Sequence, residues 1–234
     1  MDVIEAIRTR QSCRQFTDQA VSEELVREIL DTARWAPSGS NVQPWHIDVL
    51  AGAKRQELVD RVQAQDHLFP KGEGTEYHIH VPGLVDPYKA RRWECAEDMY
   101  ASVDIPREDR AGRIGQYVKN LDFFGAPVGL MFSIDRMMDV GSWADMGILI
   151  QSIMLTARGH GLHTCPQQIW AMWHKTVTEI LNIPDNRMLY CGMALGYMAE
   201  DQPINQWRTT RQEVDEFTTF AGFDDPNSHS NEER

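Results

Sequence analysis

Several features are scarce in this chain of 234 residues, and each scarcity narrows what it can be. The cysteines are four widely spaced singles, Cys13, Cys95, Cys165 and Cys191. They have neither the paired spacing of a zinc site nor the density of a disulfide scaffold, so a reduced, cytoplasmic protein is expected. No run of eighteen apolar residues occurs, and no membrane-spanning helix is expected. The N-terminus, MDVIEAIRTR, begins with an acid and lacks the apolar stretch of a secretory signal. Basic residues are in deficit: 23 Lys and Arg stand against 35 Asp and Glu, a formal net charge of -12. Such a field repels nucleic acid and anionic membranes, so neither is expected as a partner. No Gly-rich turn leads from a strand into a helix, which argues against a doubly wound nucleotide site. No serine elbow is present either, since GSW at 141–143 is not the required turn.

What is present is a chain with 42% hydrophobic residues, enough for one substantial core or two small ones, and with no repeat or low-complexity linker. A helix is expected from Asp2 to Thr9, with Asp2 as N-cap and Glu5 three residues on. A second is expected from Ser22 to Trp35, because Leu25, Ile29 and Ala33, with Val26 and Leu30, recur at helical spacing. Pro37 ends it, and the turn-rich run WAPSGSNVQPWH (35–46) leads into an alternating strand, HIDVLAG. Residues 66–116 read as a long excursion of the lid type, with a short helix after Pro87 and another from Pro106 to Asp122. PVGLMFSID reads as a buried strand, and residues 142–158 as a helix apolar nearly all round, destined for a core or a subunit interface. A shorter helix near 173–182 and a long strand over 187–198 follow, and 224–234 is a polar tail. Helices and strands mix without a βαβ rhythm, so the expected class is α+β, a mixed central β-sheet flanked by helices in one domain spanning 1–234.

The residues that could carry chemistry are scattered. RTRQSCR sets Arg8, Arg10 and Arg14 around Ser12, and NQWRTTR supplies Arg208 and Arg211 at the other end. Guanidinium forks and a hydroxyl suit a phosphate. Read alone, such arginines are more often solvated at helix ends. GLHTCPQQIW reads alone as an ordinary strand entry with Cys165 as a small buried hydrophobe. His78 with His80, and His160 with His163, have spacings that could bind metal, but no third ligand follows, so no metal is expected.

Taken together these pieces are more specific. R-x-S-x-R-x-F, then A-P-S-x-x-N-x-Q-P-W, RIGQYVKNLDFFGAPV, GLHTCPQ and NQWRTTR follow in one order along nearly the whole chain. In this the sequence resembles the FMN-dependent nitroreductase family. The resemblance implies an intertwined α+β homodimer with a flavin at each interface, built from both subunits. It implies that Arg10, Gln11, Ser12 and Arg14 hold the phosphate and the pyrimidine side of FMN, with Arg208 or Arg211 completing the phosphate clamp. Pro37, Ser38, Gly39 and Asn41 would arrive from the partner and lie against the ring. Asn120 would meet the pyrimidine edge, and Pro166 and Gln167 would line the isoalloxazine. The turn-rich loop after Pro37 then lets backbone approach a flat ring closely.

The same resemblance implies an oxidoreductase in which FMN takes hydride from NADH or NADPH and passes it to a nitroaromatic or quinone, with both substrates using one place in turn. No protein acid or base is required, so no catalytic side chain is named. Where many relatives carry a lysine three residues after the asparagine, this chain has Phe123. Phe123, Phe124 and His80 are therefore the expected substrate contacts. Reductive dehalogenation or enoate-type reduction is the alternative within the superfamily, and a non-catalytic flavin- or metal-binding module the alternative outside it.

Overall fold

The computed structural model describes residues 1–223; the polar tail expected over 224–234 lies outside them. The described elements are, in chain order, α1 (Val3–Thr9), α2 (Glu23–Ala33), β1 (Trp45–Ala51), α3 (Gly52–Gln63), α4 (Tyr88–Ala101), α5 (Arg110–Val118), β2 (Val128–Asp135), α6 (Val140–Gly159), β3 (His163–Gln167), α7 (His174–Leu181), β4 (Arg187–Gly196) and α8 (Pro203–Gln206). Both early helices start where capping chemistry places them. The Asp2 carboxylate accepts from the Glu5 N–H at 2.8 Å, and the Ser22 hydroxyl from the Leu25 N–H at 3.2 Å.

The strands lie in the order β1-β2-β4-β3, and all three pairings are antiparallel. Among the described residues the parallel component of the expected mixed sheet is reduced to an isolated bridge between Ser12 and Thr164. That bridge matters, because it ties the arginine-rich N-terminal segment to the edge strand β3.

Alternation along the strands feeds a core on each face of the sheet. Val128, Leu130, Phe132 and Ile134 of β2 point toward α2 and α6 with Cys191, Met193 and Leu195 of β4. Met131 and Ala194 point the other way, into a cluster with Leu58, Val62, Phe123, Trp170 and Trp173. Gly129 and Gly192 allow the aromatics there to lie directly on the sheet. A Cβ at Gly129 would meet the Phe123 ring at 2.5 Å, and one at Gly192 would meet Trp170 at 2.3 Å. The two rings stack with centroids 4.6 Å apart.

The register slips once, between Phe132 and Ser133, which pair with Cys191 and Leu189 and leave Tyr190 without a ladder partner. This is a β-bulge, and it frees a carbonyl for use elsewhere. Helix α6 has the length and composition of a membrane span, but its apolarity has a local cause. Met146, Leu149, Ile150, Ile153, Met154 and Ala157 pack on the sheet, while Val140 and Ile148 on other sides are exposed.

Two expectations change in detail. The helix expected from Pro106 to Asp122 is shorter: α5 ends at Val118 and a 3-10 segment, Lys119–Gly125, follows. Within it Phe123 and Phe124 take left-handed backbone angles (φ 49° and 55°), which turn both rings inward. Helix α3, unassigned in the sequence reading, packs its Leu58, Val59 and Val62 into the core.

Candidate functional site

Residues 10–14 and 207–211 meet. Arg10, Gln11, Ser12 and Arg14 line one small cavity of about 80 Å³ with Trp207, Arg208, Thr209 and Arg211. The segment 10–14 leaves α1 extended, and three contacts fix its course. Cys13 N–H donates to the Thr164 carbonyl at 3.0 Å, Arg14 N–H to the Asn205 side-chain oxygen at 2.9 Å, and the Gln11 amide to the Asn205 carbonyl at 2.6 Å. Asn205, 3% exposed, also donates to the carbonyls of Gln15 and Ala199. It is the hub that brings the C-terminal arginines to the N-terminal ones, and the sequence reading missed it. A lone asparagine in PINQ gives no signal of such a role.

The arginines in this cavity are differently engaged. The Arg208 guanidinium donates to the carbonyls of Arg8 (2.6 Å), Thr9 (3.2 Å) and Arg10 (3.3 Å), closing the C-terminal end of α1. Arg211 bonds to its own neighbours Thr209 and Thr210. The Arg14 guanidinium lies 5.6 Å from the Trp207 ring centroid, a cation–π distance. Arg10 is half-buried, and burial first, then Arg211 and Arg208, depress its pKa. An arginine cannot discharge that strain by deprotonating at ordinary pH. No carboxylate lines the cavity among the described residues, so its wall is a cluster of cations and donors without a counter-charge.

A second cavity, of about 400 Å³, lies at the other end of β3. Pro166 and Gln167 form its floor with Gln168, Ile169 and Met172; Tyr117 and Asn120 stand on one side, and Thr75, His78, Ile79 and His80 on the other. Asn120, Pro166, Gln167 and His80 are thus brought together as expected. The Gln167 side chain itself is 2% exposed and turned inward: its amide donates to the Asn120 carbonyl at 2.8 Å, and its oxygen accepts from Trp170 at 3.2 Å. Asn120 is fixed in turn by donation to the Tyr117 carbonyl at 2.8 Å. His80 stays exposed at the rim, its pKa lowered by partial desolvation and by Arg92.

Two expected substrate contacts are corrected. Phe123 is 0% exposed and Phe124 6%, and neither lines the second cavity. Phe123 is clamped between Trp170 and the Arg55 guanidinium, which lies 5.5 Å from the ring centroid and bonds Asp122 at 2.8 Å. The reason is the pair of left-handed residues, which directs both rings into the core. The loop with Pro37, Ser38, Gly39 and Asn41 joins neither cavity. It lies exposed on α6, with Gly39 N–H donating to the Asp145 carboxylate at 3.2 Å. The His160 and His163 pair separates: His163 is buried, whereas His160 lies 3.9 Å from Glu28; His78 and His80 both line the second cavity.

Comparison with known proteins shows the family and the fold. The Nitroreductase family profile matches residues 7–197. A nitrobenzene nitroreductase of Ectopseudomonas oleovorans is 38% identical over 215 residues, covering 92% of this chain and 95% of that one. A 4-nitrobenzoate reductase of Pseudomonas putida is 39% identical over 219 residues, covering 93% and 95%. Among solved structures, the FMN and NADPH-dependent nitroreductase NfnB from Sphigopyxis sp. strain HMH superposes with a TM-score of 0.92 at 41% identity, over 95% of this chain and 100% of that one.

Proposed function

The chain belongs to the nitroreductase family, and on that premise we propose that it is an FMN-dependent NAD(P)H oxidoreductase that reduces nitroaromatic compounds. When bound, FMN supplies the hydride relay between the nicotinamide and the acceptor. The observation that carries the reading is the first cavity. Its arginines converge from both chain ends, and half-buried Arg10 bears a charge that nothing in the cavity offsets. A phosphate monoester is the group that such a wall fits, since each of its oxygens accepts charge-assisted hydrogen bonds.

In this reading Arg10, Ser12, Arg14 and Arg211 hold the phosphate. Arg208 acts mainly by bracing the end of α1, where its three carbonyl contacts lie. Gln11 orients the segment through Asn205. Asn120, which lines the second cavity and is held by Tyr117 and Gln167, is in this reading the residue that meets the polar edge of the flavin ring. Pro166 and the backbone of Gln167 supply a flat floor beneath it. The wall over 75–80 closes the substrate side and keeps water from the reacting face.

The exposed loop 37–41 and the outer side of α6 belong, in this reading, to a homodimer in which each loop reaches the partner's flavin. Ser40 and Asn41 hold left-handed angles (φ 51° and 57°), a shape that a loop packed against another surface sustains. Four free cysteines, three of them buried, support placing the protein in the cytoplasm.

The test is an anaerobic visible spectrum of the purified protein. Flavin bands that bleach with NADPH or NADH and return on adding nitrobenzene are the expected outcome. A colourless protein that takes up no FMN after incubation and desalting overturns the reading.

A further inference from the structure

A third cavity, of about 330 Å³, opens against α5 and shares no lining residue with the first two. Helix α5 and the 3-10 segment after it are two-sided. Tyr117 and Asn120 line the second cavity, whereas Ile114, Val118 and Leu121, at helical spacing, line the third. Leu121 joins the buried core with Val62 and Trp173, but Ile114 at the other end of the stripe stays 50% exposed. The chain thus leaves an apolar stripe partly uncovered above a floor of packed side chains.

Val62, Leu121 and Trp173 belong to the core on the face of the sheet opposite α6, and the loop 37–41 lies on α6. The cavity is therefore remote from the surface that the homodimer reading gives to the partner, and apart from the residues that reading gives to the flavin. Its lining defines what it takes. Phe69 and Trp173 bring two aromatic rings, walls against which a third ring packs well. The mouth is polar, with Gln63 and Asp66 exposed there. Their neighbours are engaged, Arg61 with Glu179 at 2.9 Å and Gln65 with Thr176 at 2.9 Å. The side chains of Gln63 and Asp66 have no such partner among the described residues. Asp66 is the one charged residue of the lining among the described residues, so the mouth repels an anion and accepts a hydrogen-bond donor. The volume is near the lower end of the range for small-ligand sites, which suits a single ring rather than a nucleotide.

We propose that this cavity is an accessory binding site for a neutral single-ring arylamine, with its ring among Phe69, Val118 and Trp173 and its N–H group at Asp66. Ring burial supplies the affinity, and the mouth supplies the selection. An arene carboxylate meets Asp66 as a like charge, and a tertiary aniline offers it no N–H. Arylamines are also the class that full reduction of a nitroarene yields, but the site does not depend on the nitroreductase reading.

The test is ligand-observed NMR on the protein incubated with FMN, titrated separately with aniline, N,N-dimethylaniline and benzoate. Aniline is expected to bind with a Kd of about 1 mM, N,N-dimethylaniline about fivefold more weakly, and benzoate not detectably. Ile114→Trp puts a ring into the cavity from its exposed rim and is expected to weaken aniline by about tenfold or more. Asp66→Ala removes the acceptor at an exposed position, so it decides independently should Ile114→Trp fail to fold. It is expected to bring aniline and N,N-dimethylaniline within about twofold of each other. The flavin absorption spectrum, recorded in the same titrations, reports any aniline lodged over the flavin instead. Aniline that perturbs this spectrum and binds both variants as tightly as the parent overturns the proposal, as does parent protein that binds no aniline. A protein that takes up no FMN yet binds aniline in the expected pattern removes the nitroreductase reading and keeps the site.

Discussion

The first two cavities are tied to β3, one through the Ser12–Thr164 bridge and the other through Pro166 and Gln167, and they differ in nearly everything else. The first is small, cationic and assembled from residues almost two hundred positions apart, with Asn205 as the clasp. The second is larger and uncharged, and its walls come from the middle of the chain. The first holds arginines together against their mutual repulsion, and on the proposed reading an incoming phosphate relieves that cost. The second offers apolar surface, amides and two imidazoles. One is built from charge and the other from surface. A substitution therefore acts by removing chemistry in the first and by moving a surface in the second.

The largest expected effect tests the border of the second cavity. Phe123 is core, so Phe123→Ala opens a void against Trp170 and is expected to cost about 3–5 kcal/mol of stability. The KM for nitroarenes should stay near its original value under conditions where the variant is folded. A KM raised tenfold in a variant with an undiminished denaturation midpoint would return Phe123 to the substrate side. In the first cavity, Arg10→Ala is expected to weaken FMN binding by about 2–3 kcal/mol, read as flavin lost on desalting with an unchanged circular dichroism spectrum. Arg208→Ala sharpens the contrast. Its guanidinium serves α1, so it should cost about 1 kcal/mol of stability and less flavin affinity than Arg10→Ala. Full flavin retention in Arg10→Ala would break the comparison at its root.

Much of this was legible in the sequence because it depends on residue type and local spacing. The cap at Asp2, the start of α2 at Ser22, the alternation of β1, the apolar run of β2 and the apolar composition of α6 are all local signals. The arginines at both ends could be read as one site only because ordered motifs along the chain resembled a known family; spacing alone left them on the surface. What escaped depends on long-range geometry. Asn205 acts through contacts about 190 residues distant, and no local pattern marks a buried asparagine. Phe123 and Phe124 follow Asn120 closely enough to look like its companions. Two successive left-handed residues, which non-glycine sequence rarely signals, send them into the core instead. The Tyr77 hydroxyl donates to the Tyr190 carbonyl that a bulge in β4 leaves free, and a bulge is a property of the pairing rather than of either strand.

The smallest effect sharpens the contrast between cations that can shed a proton and those that cannot. Arg10 and His163 both lie partly or wholly buried near another arginine, and β3 connects them, since Thr164 pairs with Ser12 directly after His163. Arg10 keeps its charge and waits for an anion. His163, 6% exposed, is lowered to about 4 by burial first and then by Arg158, so it is neutral in the folded protein at pH 7. Between that value and about 6.5, its ordinary pKa, the unfolded chain binds more protons than the folded one. Stability therefore rises with pH across this window and is lost on acidification, by about 1 kcal/mol between pH 7.5 and 5.5. Urea midpoints of the flavin-free protein at these two pH values measure it, with His163→Gln as the reference that lacks the titration. The variant should show a shallower pH dependence by that amount. An identical slope would mean that acid acts on the fold elsewhere, and the parallel drawn between His163 and Arg10 would fail.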